Sequence, residues 1–212
     1  MWAKGLLLVV AGAQLVGATP LPACATGTLA SYIAAGPCQI GSLEVYDFSF
    51  SPSIDAALVT VTPDLSGMGL SFSSSSLLPP NYVVTYGVAS TAFFRVGMSL
   101  IPPTGVPPGT INVGELVCLG ALFTAGPTCP GSTTTLNLFD GNSGSLLVSS
   151  TSISPQAFLG IQDTITTDST YSLGGIENTF SYTPTPEPGT VLLFAIGLLG
   201  MLSRRPGLFR RC

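Results

Sequence analysis

The sequence predicts an all-β protein whose body is a single antiparallel β-sandwich or jelly-roll-like domain. Three observations lead there. Short runs rich in β-branched and aromatic residues recur every dozen or so residues, clusters of Gly, Pro and Ser separate them, and Pro79-Pro80 and Pro102-Pro103 exclude long helices from the middle of the chain. Although 46% of the 212 residues are hydrophobic, the unbroken apolar runs sit near the two ends. The middle therefore reads as globular rather than spanning, and it shows no internal repeat of fixed period.

Residues 1–18, "MWAKGLLLVVAGAQLVGA", place Lys4 before an apolar run from Gly5 to Ala13, with Val16 and Ala18 at small-residue positions before a cut. This is the pattern of a secretory signal peptide, and the run is too short to cross a bilayer. A lipoprotein reading of "LPAC", Leu21 to Cys24, would lipidate Cys24 and strand its partner cysteine, which counts against it.

Residues 19–180 form the expected β-domain. "SLEVYDFSF" alternates Leu43 and Val45, then Phe48 and Phe50 after a change of phase. "ALVTV", "NYVVTYGVA", "AFFRVGMSL", "TINVGELVC", "TLNLF", "SLLVS" and "QDTITT" continue the series of strands. Only Leu29 to Ala35 and Pro155 to Leu159 are candidates for helix. Four of the five cysteines lie here, Cys24, Cys38, Cys118 and Cys129, and the fifth, Cys212, falls beyond the apolar tail. Export permits disulfides, and the two close pairs suggest local bridges, although four cysteines allow three connectivities. No pair has C-x-x-C spacing and the sequence contains no histidine, so the cysteines point to bridges rather than to metal.

Residues 181–190 form a Pro-rich linker in which Pro184, Pro186 and Pro188 favour an extended, exposed chain. Residues 191–212 hold the apolar segment Val191 to Leu202, followed by Ser203-Arg204-Arg205. As a helix it would span about 20 Å, short of the roughly 30 Å hydrocarbon core, which suits a transient anchor. The arginines are expected to stay cytoplasmic, placing Pro186-Glu187-Pro188 at the outer face of the inner membrane.

Pro186-Glu187-Pro188, the apolar segment and Arg204-Arg205, in that order, resemble the PEP-CTERM sorting signal of exported proteins in Gram-negative bacteria that make extracellular polymer. The resemblance implies a membrane-embedded, exosortase-type protease as partner, removal of the tail, and a temporary inner-membrane anchor. It also implies delivery to the cell surface or extracellular matrix. "CATGTLASYIAAGPCQIGSLEVYDFSF", from Cys24 to Phe50, resembles the opening of an uncharacterised group of such proteins with no activity to carry over.

Charge and chemistry narrow the function further. The body holds nine acids against one base, Arg95, so nucleic acid is not expected as a partner. Without histidine, neither a Ser-His-Asp nor a Cys-His site can be built. "DGNSGSLLVSST", starting at Asp140, matches a calcium loop poorly, because Thr151 stands where a bidentate Glu should be. It reads as a turn, while calcium elsewhere, through carboxylates gathered by the fold, stays open. No catalytic residue, metal ligand or cofactor is assigned. The sequence thus supports an exported, non-enzymatic structural or binding component associated with extracellular polysaccharide. The alternative is a carbohydrate-active enzyme using two of the acids, and the discriminating feature is whether two carboxylates converge about 5–10 Å apart in a cleft.

Overall fold

The computed structural model describes residues 20–66, 68–74, 81–101, 110–124, 128–141, 144–167 and 174–183. The expected signal peptide, most of the expected Pro-rich linker and the apolar tail lie outside these residues. In chain order the elements are β1 (Gly27–Thr28), α1 (Leu29–Ala35), β2 (Cys38–Ile40), β3 (Leu43–Ser51), a 3-10 helix (Ser53–Leu58), β4 (Thr60–Asp64) and β5 (Gly69–Ser73). They continue with β6 (Asn81–Ile101), β7 (Ile111–Leu119), β8 (Ser132–Gly141), β9 (Gly144–Leu146), β10 (Val148–Thr167) and β11 (Gly175–Thr183).

One hydrogen-bonded antiparallel sheet folds over itself to make the sandwich. The long strands β6 and β10 pair along most of their length, and each serves both layers. On the first half of β6, residues 83–89 pair with β3, while its second half, residues 92–101, pairs with β11. Layer one is therefore β2-β3-β6-β10-β7-β8, with β9 on the end of β8; layer two is β1-β4-β5-β11-β6-β10. Ring contacts join the layers: Phe72 of β5 lies 5.6 Å from Tyr86 of β6, centroid to centroid. Phe48 of β3 stacks on the same tyrosine at 5.4 Å.

Period-2 alternation explains which residues fill the core. Leu43 and Val45 are buried, Asp47 is exposed, and Phe48 and Phe50 are buried again. The phase change visible in the sequence is a β-bulge: the β3–β6 register shifts between Tyr46 and Ser49, and Asp47 takes φ 54°. The fold of β6 and β10 uses a second irregularity. Their register shifts between Ser152 and Gln156 and again between Gln156 and Phe158. Pro155, which has no N–H to give a ladder, sits inside that break.

Three sequence expectations need correction. Pro155 to Leu159 is strand, not helix. Five residues are too few to show a helical period, and Leu159 continues the buried alternation of Ile161 and Ile165. "NYVVTYGVA" and "AFFRVGMSL" are one strand, because Ser90 and Thr91 bend β6 without ending it. The expected helix at Leu29–Ala35 forms, with Thr28 as its cap: its Oγ1 accepts from the Ser31 N–H at 3.2 Å. The "ALVTV" strand starts at Thr60, since Ala57 and Leu58 belong to the 3-10 helix.

Two disulfides fix the margins. Cys24–Cys38 ties the segment before β1 to β2, and Cys118–Cys129 closes the connection between β7 and β8. Each short loop closed contributes about 2–3 kcal/mol.

The bulge makes a direct prediction. A β-branched side chain at Asp47 would meet the left-handed backbone penalty, so Asp47→Val should lower unfolding stability by about 1–2 kcal/mol, while Asp47→Gly should hold or raise it. Chemical denaturation of the three proteins measures this.

Candidate functional site

Six of the nine body acids lie scattered on the surface: Glu44, Asp47, Asp55, Asp64, Asp140 and Glu177 are all partly or fully exposed. Asp168 lies outside the described residues. The remaining two, Glu115 and Asp163, come together. They are directly opposite one another on β7 and β10, both pointing into the core, and each is 1% exposed.

These two acids sit in a row of polar groups sealed between the layers. Asn178 on β11, fully buried, donates through Nδ2 to Asp163 Oδ2 at 2.6 Å and to the Tyr86 hydroxyl at 2.7 Å. The backbone of β5 is pressed against this point: a side chain on Gly69 would collide with the carbonyl of Asn178. Around the acids the inward-facing neighbours are Val84, Val113, Val117, Leu136, Ile161 and Ile165, all buried and apolar.

Such surroundings shift both acids upward. Burial, with no opposing cation, pushes the Asp163 carboxyl up to about 7 even though the Asn178 bond favours its charged form. Burial first, and the neighbouring Asp163 second, hold Glu115 well above the usual carboxylate range. Burial and then Asp163 likewise raise the phenols of Tyr82 and Tyr86. The acids favour their neutral forms, and at 1% exposure neither can meet a substrate.

Sequence reasoning missed this row, though the signal was present. Glu115 is in phase with Val113 and Val117, Asp163 with Ile161 and Ile165, and Asn178 with Ile176 and Phe180. One polar residue interrupts an inward apolar register on three separate strands.

The sole basic residue among the described residues, Arg95, lies on the outer face of layer two. It borders a groove of about 260 Å³ with Gly97, Val148, Ser150, Thr179 and Ser181 on its walls. Its Nη2 donates to Ser150 Oγ at 2.6 Å. Its observed partner is thus a hydroxyl rather than a carboxylate. Gly97 keeps the floor open, since a Cβ there would press on Thr179 Oγ1 at 2.8 Å and Ser150 Cβ at 3.4 Å. A second hollow, about 290 Å³, lies between residues 22–27 and α1 beside the Cys24–Cys38 bridge. That bridge occupies the Cys24 sulfur and so contradicts its lipidation.

The sorting residues Pro186, Glu187, Pro188, Arg204 and Arg205 lie outside the described residues, beyond the end of β11 at Thr183. The PEP-CTERM protein-sorting motif matches residues 184–205 and includes all five. Such a signal implies an exported protein. Among the described residues no helix is long and apolar enough to cross a membrane.

Two solved structures are similar in outline. TmCBM61 in complex with β-1,4-galactotriose is 12% identical, with a TM-score of 0.34, over 71% of this chain and 94% of that one. A structure described under the promiscuous specificity of carbohydrate-binding modules from the β-sandwich superfamily is 10% identical, with a TM-score of 0.27, over 71% and 60%. No curated protein matches the chain.

The acid pair sets the pH dependence. Between the ordinary carboxylate range and the raised values, the folded protein holds protons that the unfolded chain has lost, so stability falls as pH rises. In chelator-containing buffer, unfolding free energy should be greatest near pH 4 and decline toward pH 7, by about 1.4 kcal/mol per pH unit for each proton retained. Glu115→Gln should flatten that decline. Denaturant titrations across the range measure both slopes.

Proposed function

We propose that this exported chain is a non-enzymatic binding component of the extracellular polymer, sorted to the cell surface by a membrane-embedded exosortase-type protease. The carrying observation is the sorting motif at 184–205, joined to a disulfide-bonded β-sandwich. In this reading Pro186-Glu187-Pro188 is presented outside the inner membrane. Val191 to Leu202 holds the chain there, and Arg204 and Arg205 set its orientation until cleavage releases the domain.

The burial of Glu115 and Asp163 supports a non-enzymatic role. Glycoside hydrolysis by a carboxylate pair needs both groups to reach opposite sides of a sugar ring in an open cleft. Here the acids that converge are sealed, and the exposed acids are dispersed. The groove beside Arg95 has the chemistry of a binding surface instead. A guanidinium supplies a fixed fork of donors for a carboxylate, and Ser and Thr hydroxyls exchange hydrogen bonds with sugar hydroxyls. An acidic polysaccharide is the ligand class it suits.

Two measurements test this reading. Glu187→Ala should leave uncleaved protein in the inner membrane of a strain with an active exosortase, whereas the wild type is processed; equal processing of both would overturn the sorting role. Arg95→Ala should weaken retention on an acidic polysaccharide column by roughly tenfold, the scale of one charge-assisted hydrogen bond at about 1.4 kcal/mol. Elution of wild type and variant at the same salt would remove the groove from the function.

A further inference from the structure

Among the described residues, seven buried side-chain polar atoms have no hydrogen-bond partner, and five of them belong to inward-facing residues on the adjoining strands β6, β7, β10 and β11. They are both Glu115 carboxylate oxygens, Asp163 Oδ1, Asn178 Oδ1 and the Tyr82 hydroxyl. All five are oxygens. Buried polar atoms are nearly always partnered, so a concentration of orphans at one place marks a missing partner rather than scattered loss.

We propose that Glu115, Asp163 and Asn178 form an internal calcium site between the two layers, completed by the phenol of Tyr82. The register brings the groups together. Glu115 and Asp163 face each other across β7 and β10, and Tyr82 occupies the next inward position on β6, opposite Ile165. Asn178 reaches down from β11 to within 2.6 Å of Asp163. Two carboxylates alone would not make such a site, and no group of three or more His, Cys, Asp and Glu occurs among the described residues. The carboxamide and phenol, each at most 1% exposed and each with an unpartnered oxygen, complete the donor set.

The choice of ion follows from charge and softness. The donors are all oxygen, which selects a hard cation over zinc or copper. Two carboxylates match a divalent charge, and the neighbouring side chains are apolar, so no side-chain cation competes. Magnesium holds several waters in a strict octahedron and gives them up reluctantly, whereas calcium accepts carboxylate, carboxamide and other oxygens at irregular angles. A sealed interior therefore favours calcium. The Asn178 N–H bond to Asp163 Oδ2 would leave Oδ1 oriented for the ion, as outer hydrogen bonds do for metal ligands.

The test uses the full oxidised chain, unfolded in guanidinium with chelator and refolded with either calcium chloride or chelator. Wild type refolded with calcium should retain about one calcium per chain through gel filtration and melt higher than the chelated sample. Glu115→Gln/Asp163→Asn, which keeps side-chain volume, should retain none and melt identically in both conditions. Terbium added during refolding should show emission sensitised by tyrosine excitation in the wild type and not in the double variant, which reports proximity independently of stability. A wild type that retains no calcium and melts at one temperature in both conditions would overturn the proposal, leaving protons as the only partners of the pair. Calcium retained equally by the double variant would overturn it too, placing the ion elsewhere.

Discussion

The pairing of β6 with β10 is the constraint on which the rest of the molecule depends. Each strand is about twice the length needed for one layer, so a flat sheet built on them would expose a wide apolar face to water. Folding at Ser90–Phe93 and Ser152–Phe158 turns one half of the ladder over the other and makes a single core. The outward consequences follow from that fold. β3 and β11 share the same edge of β6, the Phe72 ring of β5 meets Tyr86, and Asn178 arrives above Asp163.

That last contact carries a tension. A sandwich core of Val, Ile, Leu and Phe is stable without polar groups, and a carboxylate pair within it costs several kcal/mol unless neutralised. Among the described residues no base lies there; the sole described cation, Arg95, is exposed and bonds Ser150. The pair thus makes the fold sensitive to what it meets on the outside of the cell, protons or a hard cation, while the disulfides hold the margins in either case.

The sequence revealed much of this and missed particular parts for physical reasons. Strand existence was legible from alternation, and the bulge at Asp47 was visible as the slip from Leu43 and Val45 to Phe48 and Phe50. The continuity of β6 was not, because Ser90-Thr91 carries the same local signal whether a strand bends or stops. Pro155 misled for a related reason, since it is compatible both with the first turn of a helix and with a break in a ladder. Surface acids and buried acids look alike until register is assigned. Only the apolar phase on either side of Glu115, Asp163 and Asn178 separates them from Glu44 or Asp140, and no single strand shows that three such interruptions meet. The groove at Arg95 was unreadable because its walls come from β6, β10 and β11, far apart in sequence.

Export underlies the rest, because disulfide formation and access to an extracellular ligand or cation both require it. The most direct test is the intact mass of the protein recovered from the cell surface of a host with an active exosortase. The account predicts a chain lacking residues 1–18 and the segment from Val191 onward, with Cys24–Cys38 and Cys118–Cys129 both closed. A surface-recovered chain that still carries Arg204, Arg205 and Cys212 would contradict it.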